Sequence, residues 1–290
     1  MKIEMPPGKY VLAVSGGVDS VVLLDLLRMY PGVQLIVAHY DHGMRDNSAE
    51  DRAFVQQLAR RYRLPFVYDK GNLGAGASEA AARNARYIFL RTTKAASGAV
   101  AIVTAHHQDD VLETAIMNLL RGTGRKGLSS LTSGEGIIRP LLQVPKSEII
   151  DYAKRHGLSW HEDSSNDDTT YLRNHIRHNI LPGWSASDKQ KMLAMASSGH
   201  ALNTEIDSML SGGLQPELNR AWFILLPHAV SREVMAEWLR QHDIRDFDRQ
   251  TIERLTVAAK TSQPGKAMDV VKGQKLRISK DNLALERPER

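Results

Sequence analysis

The chain has 290 residues, a formal net charge of +5, 42% hydrophobic and 24% charged residues, and no cysteine. Its length suits one large domain or two ordinary ones, with two expected, and its composition is that of a soluble globular protein able to bury a core without staples. The missing thiol excludes disulfide partners, thiolate zinc sites, cysteine-ligated iron–sulfur clusters and persulfide chemistry.

In chain order, the opening MKIEMPPGKY has no apolar core behind a basic start. No later run approaches the roughly 18 apolar residues of a membrane span, so the expected location is cytoplasmic, with no membrane partner. Short β-branched runs then alternate with helical patterns, the signature of a parallel sheet covered by helices. Strands are predicted at Tyr10 to Val14, Gln34 to His39, Phe66 to Tyr68 and Val100 to Ala105. Between them, helices are predicted at Ser20 to Met29, Ser48 to Arg63 and Ser78 to Ala96, the last two opened by a serine able to cap. The expected fold is therefore α/β, a doubly wound parallel sheet. Further helices are predicted at Asp110 to Leu120 and at Lys146 to His156, the latter ended by Gly157. A catalytic domain over 1–183 is followed by a linker helix in 184–215, with Asp188 to Leu210 helical and Ser211-Gly212-Gly213 as a breaker. Residues 216–290 read as a small α+β domain, with helices at Ser231 to His242 and from Arg249, and a hairpin of Met268 to Val271 with Lys275 to Ile278.

The most informative segment is Ser15-Gly16-Gly17-Val18-Asp19-Ser20, directly after the first strand and before the first helix. Two glycines let the backbone turn its N–H groups onto phosphate oxygens, and the helix N-terminus adds its positive dipole end. Asp19 would be repelled by a bare phosphate, so its presence in an anion cradle implies a Mg²⁺ ion between them. The alternative is an ordinary glycine turn. No lysine follows the glycines, which argues against a P-loop NTPase. SGGxDS placed here resembles the loop of ATP pyrophosphatases, which hold the β and γ phosphates as the leaving pyrophosphate. Gly122, Gly124 and Gly127 also spell G-x-G-x-x-G, with Glu148 downstream, but a helical run rather than a strand precedes them, so no dinucleotide site is expected.

The fourth strand runs into Thr104-Ala105-His106-His107-Gln108-Asp109-Asp110, with Glu113 one turn later. Active sites of open α/β sheets lie beyond the carboxyl ends of the strands, so this turn should face the glycine loop across one crevice. Asp110 and Glu113 share a helix face and could hold an ammonium group, hold Mg²⁺ or take a proton; a solvated first helical turn is the plain alternative. His39, Asp41 and His42, with His106, His107, Asp109 and Asp110, raise a rival reading as a metal-dependent phosphoesterase. That rival leaves the glycine loop without a task. A third class, a non-enzymatic ATP sensor with an RNA-binding surface, leaves Asp110 and Glu113 without one.

With these residues in place the chain resembles the tRNA(Ile)-lysidine synthetase family over about residues 10 to 183. Similar to that family are SGGVDS, Ala38-His39-Tyr40-Asp41-His42-Gly43-Met44-Arg45, Ser78-Glu79 with Ala82-Arg83 and Arg86-Tyr87, and TAHHQDDVLET. The series continues with Arg121-Gly122-Thr123-Gly124, Arg139-Pro140-Leu141-Leu142, Lys146-Ser147-Glu148-Ile149, and Glu162-Asp163-Ser164-Ser165-Asn166 followed by Arg173-Asn174 and Ile176-Arg177. Met44 departs from the usual leucine, and residues 216–290 resemble only the first of the C-terminal domains that many relatives carry.

The resemblance implies joining of free L-lysine to the wobble cytidine of an isoleucine tRNA with a CAU anticodon, using ATP and Mg²⁺ and passing through an adenylated cytidine. It implies that Ser15, Gly16, Gly17, Val18, Asp19 and Ser20 bind ATP, with Ala38, His39, Arg86 and Gly122, and that Asp19 meets the metal. Asp19, Asp110 and Glu113 are the expected catalytic residues, and Asp110 and Glu113 the expected lysine site. Arg83, Arg121, Arg173, Asn174 and Arg177 are expected tRNA contacts, with Arg125, Lys126, Asp163 and Asn166 nearby in sequence. Trp160, Trp222 and Trp238 are expected to pack rather than to stack on bases.

Overall fold

β1 (Gly8–Ala13), β2 (Val33–Asp41), β3 (Phe66–Lys70), β4 (Ala101–Val103) and β5 (Ile137–Ile138) form one sheet in the order β3-β2-β1-β4-β5. Every neighbouring pair in it is parallel. The structure, a computed structural model, describes all residues except 2, 42–47, 72–78, 124–125, 130, 135, 163–171, 272 and 287–290. Strand order reverses between β1 and β4, so the chain leaves the carboxyl ends of these two neighbours in opposite senses, the topological switch point where open α/β sheets bind their ligands.

Alternation along β1 decides what covers each face. Tyr10, Leu12 and Val14 point into a core with Val21, Leu23, Leu24 and Leu27 of α1 (Val18–Arg28), Val55 of α2 (Ser48–Arg61) and Ile149 of α5 (Lys146–Arg155). Val11 points the other way, to Tyr87 and Leu90 of α3 (Glu79–Ser97). Helices on both faces are what a parallel sheet requires, because neither face can be left to water. Gly157 takes φ +59 and ends α5, as its sequence position suggests.

The chain separates into two compact units, one of residues 1–121 with 128–196 and one of residues 122–127 with 197–290. The division falls inside α7 (Ala186–Gly213). Ser211-Gly212-Gly213, expected to break the chain, belongs to that helix instead. Leu214 N–H still bonds the Leu210 carbonyl at 3.1 Å, and Leu210 and Leu214 both pack on the second core, which offsets the glycines' poor helix propensity.

In the second unit the expected hairpin, β7 (Lys266–Asp269) with β8 (Lys275–Ile278), is two strands of a four-stranded antiparallel sheet. β6 (Leu218–Asn219) and β9 (Asn282–Glu286) complete it in the order β6-β9-β8-β7. Trp238 is fully buried against it, its indole N–H bonded to the Gln215 and Pro216 carbonyls. Trp160 packs on the first core, whereas Trp222 is 43% exposed, contrary to the expectation for it.

Asp25 fixes the helices that frame the crevice. Although almost fully buried, it accepts from Arg28 Nε at 2.8 Å, from the Tyr62 hydroxyl at 3.2 Å and from the Tyr152 hydroxyl at 3.0 Å, tying α1 to the end of α2 and to α5. Burial and the Asp25 carboxylate push the Tyr152 hydroxyl up to about 12, so it stays a donor. Asp25→Ala leaves these donors without their acceptor and is expected to cost about 1–3 kcal/mol in urea denaturation; an unchanged midpoint would remove Asp25 from this role.

Candidate active site

The loop after β1 folds on the hydroxyl of Ser20. That oxygen receives the N–H groups of Ser15 and Gly16, both at 3.2 Å, and donates to the Gly17 carbonyl at 2.9 Å. The Ser15 hydroxyl receives the Gly17 N–H at 3.3 Å. The loop amides are thus aligned on neutral oxygens that a phosphate oxygen, carrying charge, outcompetes. Gly16 has φ +103, a conformation glycine adopts freely and other residues only with strain. Its carbonyl accepts the His161 N–H at 3.1 Å, and His161 is itself held by Asp51 at 2.7 Å and stacked on Phe54. Gly17 caps α1, so Val18, Asp19 and Ser20 form its first turn, where unpaired amides and the dipole favour an anion.

Asp19 is where the loop meets its neighbours. Lys146, the first residue of α5, places its ammonium 2.6 and 2.7 Å from the two Asp19 oxygens. His107 Nε2 lies 3.7 Å from Asp19 Oδ2 and 3.5 Å from Asp110 Oδ2. One imidazole therefore stands between the glycine loop and the acidic turn, across the crevice expected from strand order. His107 precedes α4 (Gln108–Leu120), and its backbone N–H bonds the Asp110 carboxylate at 2.9 Å. Its Nδ1 is buried without a hydrogen-bond partner among the described residues.

Charge along the α4 face is graded. Burial alone would raise Asp110, but the His107 and His106 imidazoles and the His107 N–H outweigh it and hold its carboxyl below the usual range. Glu113 is fully buried; Arg177 grips it from Nε at 2.7 Å and from Nη2 at 3.1 Å, and Arg173 Nε lies 3.6 Å away. Burial pushes Glu113 upward against the pull of Arg177, while the fork of two hydrogen bonds keeps the guanidinium charged. Arg173 also reaches the Thr114 hydroxyl at 3.3 Å, and Asn174 between them is buried. Arg173 and Arg177, expected to touch tRNA, are thus engaged first with the acidic face of α4.

His106 accepts at Nδ1 from Arg139 Nε at 3.4 Å and lies 2.8 Å from the Thr104 hydroxyl. Accepting there leaves Nε2 carrying the proton. Desolvation, helped by the guanidiniums of Arg139, Arg86 and Arg83 and opposed by Asp110, depresses His106 to about 3. Arg83 and Arg86 lie 5.0 and 5.6 Å over the Tyr87 ring. On β2, His39 Nδ1 donates to the Val14 carbonyl at 2.9 Å, so its Nε2 is an acceptor, and burial lowers its affinity for a second proton. The Ala38 carbonyl receives the Val14 N–H, and its methyl is buried in the α3 core.

Arg121 caps α4 and is exposed, and Gly122, at φ +63, gives its carbonyl to Arg249 within the second unit. Lys126, near the expected tRNA contacts in sequence, pairs with Asp207 at 2.6 Å and Glu237 at 3.3 Å. His42, Met44, Arg45, Ser78, Gly124, Arg125, Asp163 and Asn166 lie outside the described residues. Among the described residues no group of three or more His, Cys, Asp or Glu side chains is placed to hold a metal, which leaves the phosphoesterase reading unsupported. A single carboxylate that already takes a cation, as Asp19 does from Lys146, fits magnesium whose remaining ligands are phosphate oxygens and water.

Residues 2–184 match the PP-loop domain, which covers more than half of the chain. The chain belongs to the PP-loop family. Within that family it is 42% identical over 189 residues to the tRNA(Ile)-lysidine synthase of Geobacter sulfurreducens, covering 61% of this chain and 40% of that protein. It is likewise 42% identical over 197 residues to the enzyme of that name from Nitrosomonas europaea, covering 63% and 42%. The matched region thus spans about 40% of the length of these curated relatives. The U34-tRNA thiolase NcsA from Methanococcus maripaludis shares the fold with a TM-score of 0.54 at 19% identity, over 68% of this chain and 73% of that one. In PP-loop terms Lys146 is the residue that sequence reasoning left unassigned, although it sits in the Lys146-Ser147-Glu148-Ile149 block and opens a helix after a parallel strand.

An unfolded imidazole takes a proton near 6.5, whereas folded His106 does so only near 3. Its contribution to stability is therefore complete above pH 6.5 and is lost as pH falls toward 3, by at most about 1.4 kcal/mol per pH unit. His106→Asn should flatten the loss of stability between pH 6.5 and 4.5 in urea titrations; slopes equal to the unmodified protein would reject a neutral, enclosed His106.

Proposed function

We propose that this protein joins lysine to C2 of the wobble cytidine of an isoleucine tRNA with a CAU anticodon, converting ATP to AMP and pyrophosphate. The observation that supports this reading is His107 standing 3.7 Å from Asp19 and 3.5 Å from Asp110, which brings the glycine loop and the acidic turn together. The lysidine synthase relatives supply the substrate class.

In this reading the amides of residues 15–17 and the first turn of α1 hold the β and γ phosphates, with the Ser15 and Ser20 hydroxyls beside them. Magnesium on Asp19 would supply charge stabilisation for the departing pyrophosphate. The His39 Nε2 acceptor and Ala38 beside it, in the C-terminal half of β2, suit the adenosine. Arg83 and Arg86, beside His106, suit the nucleotide or RNA phosphates.

Cytidine O2 bonds to the α phosphorus as the bond to the bridging oxygen breaks and pyrophosphate leaves. The lysine ε-nitrogen then bonds to C2, and the C2–O bond breaks with its electron pair leaving on AMP. Lysine arrives protonated, with an unperturbed pKa near 10.4, so the site must both attract the ammonium and remove a proton. Asp110, held ionised, is the docking anion. Glu113, raised by burial and with lone pairs beyond those used by Arg177, is the proton acceptor, while Arg177 and Arg173 brace it.

Asp19→Asn is expected to abolish AMP and pyrophosphate formation while tRNA affinity stays within about twofold; full turnover would reject the role of Asp19. Glu113→Gln should slow lysine transfer on the order of 10²-fold or more, as loss of a general base does. Lysine-dependent turnover matching the unmodified protein would remove Glu113 from the lysine step. Release of ADP in place of AMP would overturn the reading as a whole.

A further inference from the structure

Gly16 and Gly17 flank a single peptide unit, and the orientation of that unit aims one of the loop's amides. The unit is planar and trans, so its carbonyl oxygen and its N–H point in opposite directions. No side chain on either neighbour resists its rotation, and Gly16 already takes φ +103. Something outside the loop must therefore fix which way it faces. We infer that His161 is a positioning residue that keeps the Gly17 amide turned toward the nucleotide phosphates, through a brace that runs to Asp51 of α2. This inference rests on the nucleotide reading given above.

The brace has two joints. At the first, the backbone N–H of His161 donates to the Gly16 carbonyl at 3.1 Å. With that oxygen engaged on one side, the Gly17 N–H is directed to the other, where it meets the Ser15 hydroxyl at 3.3 Å. At the second joint the His161 ring is fixed. A carboxylate only accepts, so Nδ1 carries the proton and donates to Asp51 Oδ1 at 2.7 Å. The same ring stacks on Phe54, one turn along α2, with centroids 4.4 Å apart. Phe54 and Val55 also back the loop directly, each with an atom 3.6 Å from where a Gly16 Cβ would lie. Val55 is fully buried in the first core and Phe54 packs against that core, so the brace ends on a rigid part of the fold.

The loop's own bonds cannot replace this brace. They end on the hydroxyls of Ser15 and Ser20, which rotate freely and are the groups an incoming phosphate oxygen displaces. The bond to the Gly16 carbonyl lies outside that exchange and is untouched by it. The His161 and Asp51 side chains are 40% and 34% exposed, and a pair so open to water contributes little to global stability. Its consequence is local: losing it misaims an amide without unfolding the chain.

Calorimetric titration of the full chain with Mg²⁺ and inorganic pyrophosphate, and separately with adenosine, distinguishes the phosphate cradle from the rest of the nucleotide site. His161→Phe keeps a ring on Phe54 and removes the donor. It is expected to weaken pyrophosphate binding about three- to tenfold, the worth of one oriented hydrogen bond, with adenosine affinity and thermal midpoint unchanged. His161→Asn, whose amide nitrogen can stand where Nδ1 stands, is expected to bring pyrophosphate binding back to within about twofold of the unmodified protein. Should His161→Phe fold poorly, Asp51→Ala removes the acceptor with the imidazole intact and should show the same selective loss. Unchanged pyrophosphate binding in these variants, equal losses for pyrophosphate and adenosine, or no recovery in His161→Asn would overturn the inference alone. No pyrophosphate binding by the unmodified protein would remove both this inference and the nucleotide reading beneath it.

Discussion

A carboxylate placed inside a loop made for phosphate must be given a cation, and the architecture around Asp19 follows from that requirement. Lys146 comes from the helix after β5 and His107 from the turn after β4, so two further strand ends contribute to the surroundings of a residue on the first helix. Both contacts depend on the parallel order β1-β4-β5, which delivers all three chain segments to the same edge of the sheet. Asp25, a buried residue of α1 bonded to Tyr152 of α5, fixes the helix that carries Lys146 relative to the helix that carries Asp19.

The acidic turn extends the same electrostatics across the crevice. His107 gives its backbone N–H to Asp110 and its ring to the gap between Asp110 and Asp19, so the two carboxylates share one neighbour. One turn further on, Glu113 is enclosed by Arg177 and Arg173 and sits in a drier setting. Two carboxylates three residues apart thus acquire opposite tendencies, one held ionised and one pushed toward taking a proton. Under the proposed function, that division lets the site receive an ammonium and then release it as an amine.

Much of this was legible in the residues. The glycine loop between a β-branched run and a helix, and the His-His-Gln-Asp-Asp turn after another such run, were enough to predict a shared crevice once the sheet was taken as parallel. What escaped was long-range or short-lived in sequence. β5 is only two residues, with no alternation to read, and missing it removed the reason to bring Lys146 to the strand-end edge. Arg173 and Arg177 are spaced for one helix face, but nothing local says that Glu113, 64 residues before Arg177, lies against that face. Ser211-Gly212-Gly213 carries breaker chemistry and stays helical because Leu210 and Leu214 on either side are held by the second core.

The central claim is that this crevice hands the adenylyl group of ATP to an RNA base while the outer two phosphates stay in the loop. It is tested most directly by incubating the protein with Mg²⁺, an isoleucine tRNA transcript and ATP carrying its label at the α phosphate, with lysine left out. The account predicts that label accumulates on the tRNA at the anticodon and is discharged as AMP when lysine is added. Label transferred instead from the γ phosphate, or an RNA that stays unlabelled while ATP is consumed, would contradict it.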